Sequence, residues 1–88
     1  MYQDLYSEEI AKKLAKLRKK DPVEYSQVRK KMDSILAEPN HSYKFLHHDM
    51  KGLNRVQLGH FVLVFRVDHQ SKTISFEDYD HHDVIYKQ

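Results

Sequence analysis

The spacing of apolar residues changes once along this chain, at Pro39, and that change limits the folds open to it. Before Pro39 the apolar residues recur at helical intervals. Ile10, Leu14 and Leu17, with Ala11 and Ala15 beside them, form one stripe; Tyr25, Val28, Met32, Ile35 and Leu36 form a second. Ser7 stands where a helix cap belongs, with Glu8 and Glu9 in the first turn, where the helix dipole favours negative charge. This predicts a first helix over Glu8–Lys19. Asp21-Pro22-Val23-Glu24 then restarts a helix: Asp21 caps, Pro22 takes the first helical position, and Glu24 reaches back to the cap. Pro39 ends it, because the residue before a proline is pushed out of helical geometry. Two helices joined by so short a turn predict an antiparallel hairpin.

After Pro39 the pattern is that of strands. His41–Met50 is polar and rich in histidine, a loop or the start of a strand. Asn54–Leu58 and Phe61–Val67 alternate in character around Gly59-His60, a two-residue turn signal. Asp68–Lys72 reads as the next turn, and Thr73–Tyr79 as a last strand with Ile74 and Phe76 on one face. Tyr2–Tyr6 is short enough for an edge strand. The expected fold is α+β: an N-terminal helical hairpin packed on one face of a small, mainly antiparallel twisted sheet, with residues 1–88 forming a single domain. Alternation sends Phe61, Leu63, Phe65 and Val67 towards the helices. It sends Val62, Val64 and Arg66 to the opposite face, where any groove would form.

With 88 residues there is material for one core, and with no cysteine neither a disulfide framework nor a thiolate metal site is available. No apolar run approaches the roughly 20 residues of a bilayer span, so a soluble, cytoplasmic protein is expected. The net charge of +2 hides an asymmetry. Lys12, Lys13, Lys16, Arg18, Lys19, Lys20, Arg29, Lys30 and Lys31 fall early, whereas Asp68, Glu77, Asp78, Asp80 and Asp83 fall late. A basic helical face suits nucleic acid or an acidic partner, although solvated helix faces carry the same composition.

The segment from Tyr43 to Tyr86 resembles the RelE/ParE toxin superfamily. The stretches that carry the likeness are Lys51-Gly52-Leu53, Arg55-Val56-Gln57-Leu58-Gly59-His60-Phe61, Phe65-Arg66-Val67-Asp68, and His81-His82-Asp83-Val84-Ile85-Tyr86. They follow the family's order, behind a helical hairpin of the expected length. The resemblance implies the toxin of a type II toxin–antitoxin pair, held in check by an antitoxin protein. It further implies a ribosome-dependent endoribonuclease that cuts ribosome-bound mRNA and so inhibits translation, without metal or cofactor. The message's own 2′-hydroxyl attacks the adjacent phosphate; the protein orients it, moves protons and balances charge. ParE-like relatives on the same fold inhibit DNA gyrase instead, and a RelE fold that has lost cleavage is the other alternative, since fold alone does not separate these functions. The sequence departs from the family pattern at Val62, Gln57 and His82, where basic residues are usual.

His82, Tyr86 and Arg55 are the candidate catalytic residues. An imidazole trades protons near neutral pH, an aromatic ring stacks on a base, and a guanidinium pairs with phosphate in a bidentate manner. Lys51, Arg66, His47 and His48 are the candidate RNA and phosphate contacts. Each also has an ordinary structural reading, as a solvated side chain or, for Tyr86, as a ring packed on the sheet. The triplets His47-His48-Asp49 and His81-His82-Asp83 contain metal-ligand side chains, but their spacing fits no zinc pattern, and neighbours on a strand point to opposite faces. No metal is expected.

Overall fold

Backbone hydrogen bonding joins five strands in the order β1-β5-β4-β3-β2. The computed structural model describes residues 1–46 and 52–87. In chain order the elements are β1 (Gln3–Tyr6), α1 (Glu8–Lys20), α2 (Pro22–Ala37), β2 (Lys44–Phe45), β3 (Asn54–Leu58), β4 (Phe61–Asp68), β5 (Thr73–His81) and α3 (His82–Ile85). β2 to β5 form an antiparallel meander, and β1 pairs in parallel with β5, from Gln3 opposite Thr73 to Tyr6 opposite Phe76. Among the described residues no helix is long and apolar enough to cross a membrane.

The helical hairpin forms as its caps predict. The Ser7 hydroxyl accepts from the Ile10 N–H at 3.1 Å and donates to the Glu77 carbonyl at 2.6 Å, so one side chain starts α1 and fixes it to β5. Asp21 joins the two helices alone. Its N–H closes α1 on the Leu17 carbonyl, and its carboxylate accepts from the Glu24 N–H at 3.0 Å to open α2. The inner stripes, Ile10 and Leu14 with Val28, Met32 and Ile35, pack on Leu63, Phe65, Ile74, Phe76 and Tyr79 of the sheet. Phe61, Val56 and Leu58 border that core.

The Gly59-His60 turn carries φ +62° at Gly59, the positive value that a type II′ hairpin requires at its first central residue. At the next turn, the Asp68 carboxylate accepts from the N–H groups of Gln70 and Ser71, and those bonds hold its carboxyl below the usual range. The last strand runs two residues past Tyr79, and a register shift opposite Val64 and Phe65 leaves Glu77 as the extra residue.

One expectation about the sheet is corrected. Val62 and Val64 do face away from the helices, but they form no open surface. They are buried at 0% and 3% exposure in a second small cluster with Ile85, bordered by Leu46 and Leu53. The cause is α3, which the strand pattern did not reveal and which lays Ile85 on this face. Arg66, further along the same strand face, stays exposed.

A cationic clasp ties α1 to the end of β5 that β1 leaves unpaired. Lys13 Nζ lies 2.7 Å from Asp78 Oδ1 and 2.8 Å from Asp80 Oδ2. Burial pulls the Lys13 ammonium pKa down, but the two carboxylate bonds outweigh it and the net shift is upward. Burial likewise pushes Asp80 up, and the Lys13 bond with the His81 N–H brings it below its usual value. Lys13→Met keeps the stem and removes the charge, leaving two carboxylates facing each other. Partly exposed pairs contribute about 0.2–1 kcal/mol each. A loss of about 1–2 kcal/mol is therefore expected, which would appear in a calorimetric scan as a melting temperature roughly 5–10 °C lower. The depressed Asp80 contributes stability above its ordinary value of 3.8 and loses it as pH falls through its lower folded value. The gap between wild type and variant therefore persists at neutral pH and closes in acid below that value. A gap unchanged in strong acid would mean that packing, not charge, sets it.

Candidate RNA-facing site

Two of the candidate residues, Arg55 and Tyr86, meet on the sheet face opposite α1 and α2, and His82 stands one helical turn before Tyr86. Arg55 projects from β3, paired across the strands with Val64, so it stands beside the small cluster that α3 covers. Its Nε donates to the Phe45 carbonyl at 3.2 Å, and its guanidinium carbon lies 5.9 Å from the centre of the Tyr86 ring, within cation–π range. Tyr86 closes α3: its N–H donates to the His82 carbonyl at 3.0 Å. Tyr86 and His82 are thus one helical turn apart, and the seating of Ile85 fixes where both stand. Tyr86 keeps 42% of its surface exposed, and the His82 side chain 38%, so both are open to a large ligand.

The His82 ring is held by its surroundings. Its Nδ1 lies 3.0 Å from Asp83 Oδ1, and its backbone N–H donates to the His60 carbonyl at 2.9 Å. Asp83 in turn gives its N–H to Nδ1 of His81, the cap of α3, at 3.1 Å. A carboxylate against one imidazole nitrogen orients the ring and leaves Nε2 to exchange protons.

Arg66 extends this face. It sits two residues beyond Val64 on β4, diagonal to Arg55, a relation that separates Cα atoms by about 7–8 Å across a sheet. Arg66 therefore adds a second guanidinium to the face that carries Arg55. The candidates Lys51, His47 and His48 lie outside the described residues.

The departures from the family pattern take on structural meaning here. Val62 is not a vacant cation position: it is fully buried beside Ile85 and seats α3. Gln57 turns back on its own hairpin, its Nε2 donating to the Gly59 carbonyl at 2.9 Å. Two residues that sequence reasoning passed over join the site, His60 and Asp83. Both stood in motifs already singled out, but only the pairing of Phe61 with His81 brings the hairpin turn beside α3.

A hollow of about 420 Å³ lies between α2 and the β3–β4 turn, lined by Glu24, Gln27, Leu58, His60, Phe61 and Tyr79, so His60 borders it from the α3 side. The face that carries Arg55 and Tyr86 presents a part-exposed guanidinium beside an exposed ring.

The chain matches no protein-family model. It is 43% identical over 89 residues to a Methanocaldococcus jannaschii protein named "Putative toxin RelE4", covering all of this chain and 94% of the relative. It is 46% identical over 79 residues to an uncharacterized protein of Methanosarcina mazei, covering 89% of this chain and 91% of that one. Among solved structures, the isolated Escherichia coli RelE toxin superposes with a TM-score of 0.76 at 19% identity, covering 92% of this chain and 84% of the other. The Mycobacterium tuberculosis toxin–antitoxin complex RelBE2 superposes with a TM-score of 0.74 at 22% identity, covering 92% and 98%. At such identities these structures establish the fold alone.

Proposed function

This chain belongs to the RelE-like toxin family, and from that premise we propose that it is the toxin of a type II toxin–antitoxin pair that cleaves messenger RNA on the ribosome. The observation that carries the reading is the Arg55 guanidinium at 5.9 Å from the ring of the exposed Tyr86, with His82 one helical turn before that tyrosine.

The proposed chemistry needs only the message and these side chains. The 2′-oxygen of one nucleotide attacks the adjacent phosphorus, its proton passes to a base, and the bond to the 5′-oxygen breaks as that oxygen gains a proton. His82 moves protons, oriented by Asp83. Arg55 balances the charge that gathers on the phosphate oxygens, a role suited to a fixed guanidinium. Tyr86 offers the ring face not turned to Arg55 to a base of the message. Arg66 is a second phosphate contact. Lys51, His47 and His48 remain proposed contacts from the segment before β3. An open face of this kind reaches a productive arrangement only when something else holds the message against it, which accounts for dependence on the ribosome.

The proposed antitoxin fits the other half of the molecule. Lys12, Lys16, Arg18, Lys19 and Lys20 of α1 are exposed. An acidic or amphipathic segment laid on that helix would be attracted by their charge. A cytoplasmic location belongs to the same proposal, since that is where ribosomes and the partner would be met.

A paired assay tests the proposal against gyrase inhibition. Adding the protein to a cell-free translation system is expected to stop protein synthesis, while DNA supercoiling by gyrase continues. Continued synthesis with blocked supercoiling would reverse the assignment. Neither effect from folded protein would leave a RelE fold without cleavage.

A further inference from the structure

Three histidines from two separate elements converge at the end of α3. His81 and His82 are neighbours in sequence, and on a continuing strand their rings would part. The chain leaves β5 and enters α3 between them, so their ring centres lie only 4.3 Å apart. His60, from the β3–β4 turn, stands 6.1 Å from His81 and 6.2 Å from His82, ring centre to ring centre. Asp83 adds a carboxylate. One ligand atom from each of His81, His82 and Asp83 lies within 4.8 Å of the others.

We propose that His60, His81, His82 and Asp83 bind a divalent transition metal of the zinc type, clamping the β3–β4 turn to α3. The donor set is chemically apt: neutral imidazoles and a carboxylate are ligands for zinc, cobalt and nickel, and three imidazoles with one carboxylate complete a tetrahedron. His81, His82 and Asp83 form the near half of the site, and His60, whose ring stands further off, completes it by turning towards them. With metal–nitrogen bonds of about 2.1 Å, two imidazoles on one tetrahedral ion have ring centres about 5 Å apart. The observed separations bracket that value, and small rotations of these half-exposed side chains close the difference. The backbone is already in place, since the His82 N–H donates to the His60 carbonyl at 2.9 Å and fixes the turn against the helix. Binding has a cost. A metal on His81 Nδ1 replaces the bond accepted there from the Asp83 N–H.

The earlier objection to a metal, that neighbours on a strand diverge, fails at this position because the strand ends there. Spacing rules also miss the site, because His60 joins it only through the register that sets Phe61 opposite His81. Metal binding here can be tested without the proposed RNA chemistry, but the two compete at His82. An imidazole held by the ion is not free to move a proton, so the loaded protein is expected not to cleave by the proposed route.

The test uses the whole, untagged protein, stripped with a chelator and titrated with Co²⁺. The expected result is saturation at one equivalent, with the visible absorption of a tetrahedral cobalt site that Zn²⁺ then abolishes. His60→Gln and His82→Gln, each checked for an unchanged circular dichroism spectrum, are expected to weaken binding at least tenfold. His69→Gln, whose ring is bonded to the Tyr2 hydroxyl elsewhere, is expected to leave it unchanged. Because imidazoles must be neutral to bind, affinity should fall as pH drops below the ordinary histidine range. No tetrahedral absorption, or binding indifferent to His60→Gln, or equal weakening by His69→Gln, would overturn the proposal.

Discussion

His82→Ala is expected to slow cleavage of ribosome-bound message by about 100-fold or more, the usual loss when a group that moves a proton in the transition state is removed. Arg55→Ala is expected to cost about 100- to 1,000-fold, as does the loss of a fixed donor aimed at developing negative charge. Neither change should unfold the protein. The His82 side chain is 38% exposed, and Arg55 lies outside the main core. The expected signature is therefore a folded protein that still associates with ribosomes and cuts poorly. Single-turnover rates on programmed ribosomes check this directly. Arg55→Lys sharpens the result: it keeps the charge but loses the planar fork and the stacking on Tyr86, so it should recover only a small part of the rate. Full recovery would show that charge alone matters and that the Arg55–Tyr86 contact is incidental.

Ile85→Asp is the second change with a large expected effect. Ile85 is 1% exposed and rests on Val62 and Val64, so a carboxylate there would be stripped of water without a partner. The protein has a cheaper escape than unfolding: α3 is one turn long and Ile85 is its single buried side chain, so it can leave the sheet. Exposing Val62 and Val64 then limits the loss. A decrease of about 2–4 kcal/mol is expected, within the range for emptying a buried aliphatic site. Hydrogen exchange separates local from global effects. Amides of α3 should lose protection, while those of Met32 and Phe65 retain it. Cleavage should also collapse, because Tyr86 and His82 are held in place by α3. Ile85→Val, which keeps an apolar contact, should cost about 1 kcal/mol and preserve activity. Uniform loss of protection would mean that the small cluster is part of the main core.

How much of this was legible in the sequence depended on how local the signal was. Ser7, Asp21 and Pro22 announce the helical hairpin because a cap is decided within four residues. The β3–β4 hairpin was legible for the same reason, in the Gly59 turn and the alternation on either side. The parallel pairing of β1 with β5 was not, since nothing in Gln3–Tyr6 names a partner some seventy residues away. The helix α3 was hidden by its size: four residues, with a histidine as cap and Ile85 as its single buried side chain. Missing it led directly to the wrong reading of Val62 and Val64 as groove surface. Arg55, Tyr86 and His82 were nominated through a family resemblance. Their neighbours His60 and Asp83 were not, because a shared site between a turn and a distant helix exists only once the strand register is known.

The most direct test of the central claim is to map both ends of the fragments from a defined message on programmed ribosomes. The account predicts a cut within the codon being read, a cyclic or open phosphate on the upstream fragment and a 5′-hydroxyl on the downstream one. The same message free in solution should stay whole. A 5′-phosphate on the downstream fragment would mean that water, not the 2′-hydroxyl, attacks. An intact message in the presence of folded, ribosome-bound protein would contradict the account outright.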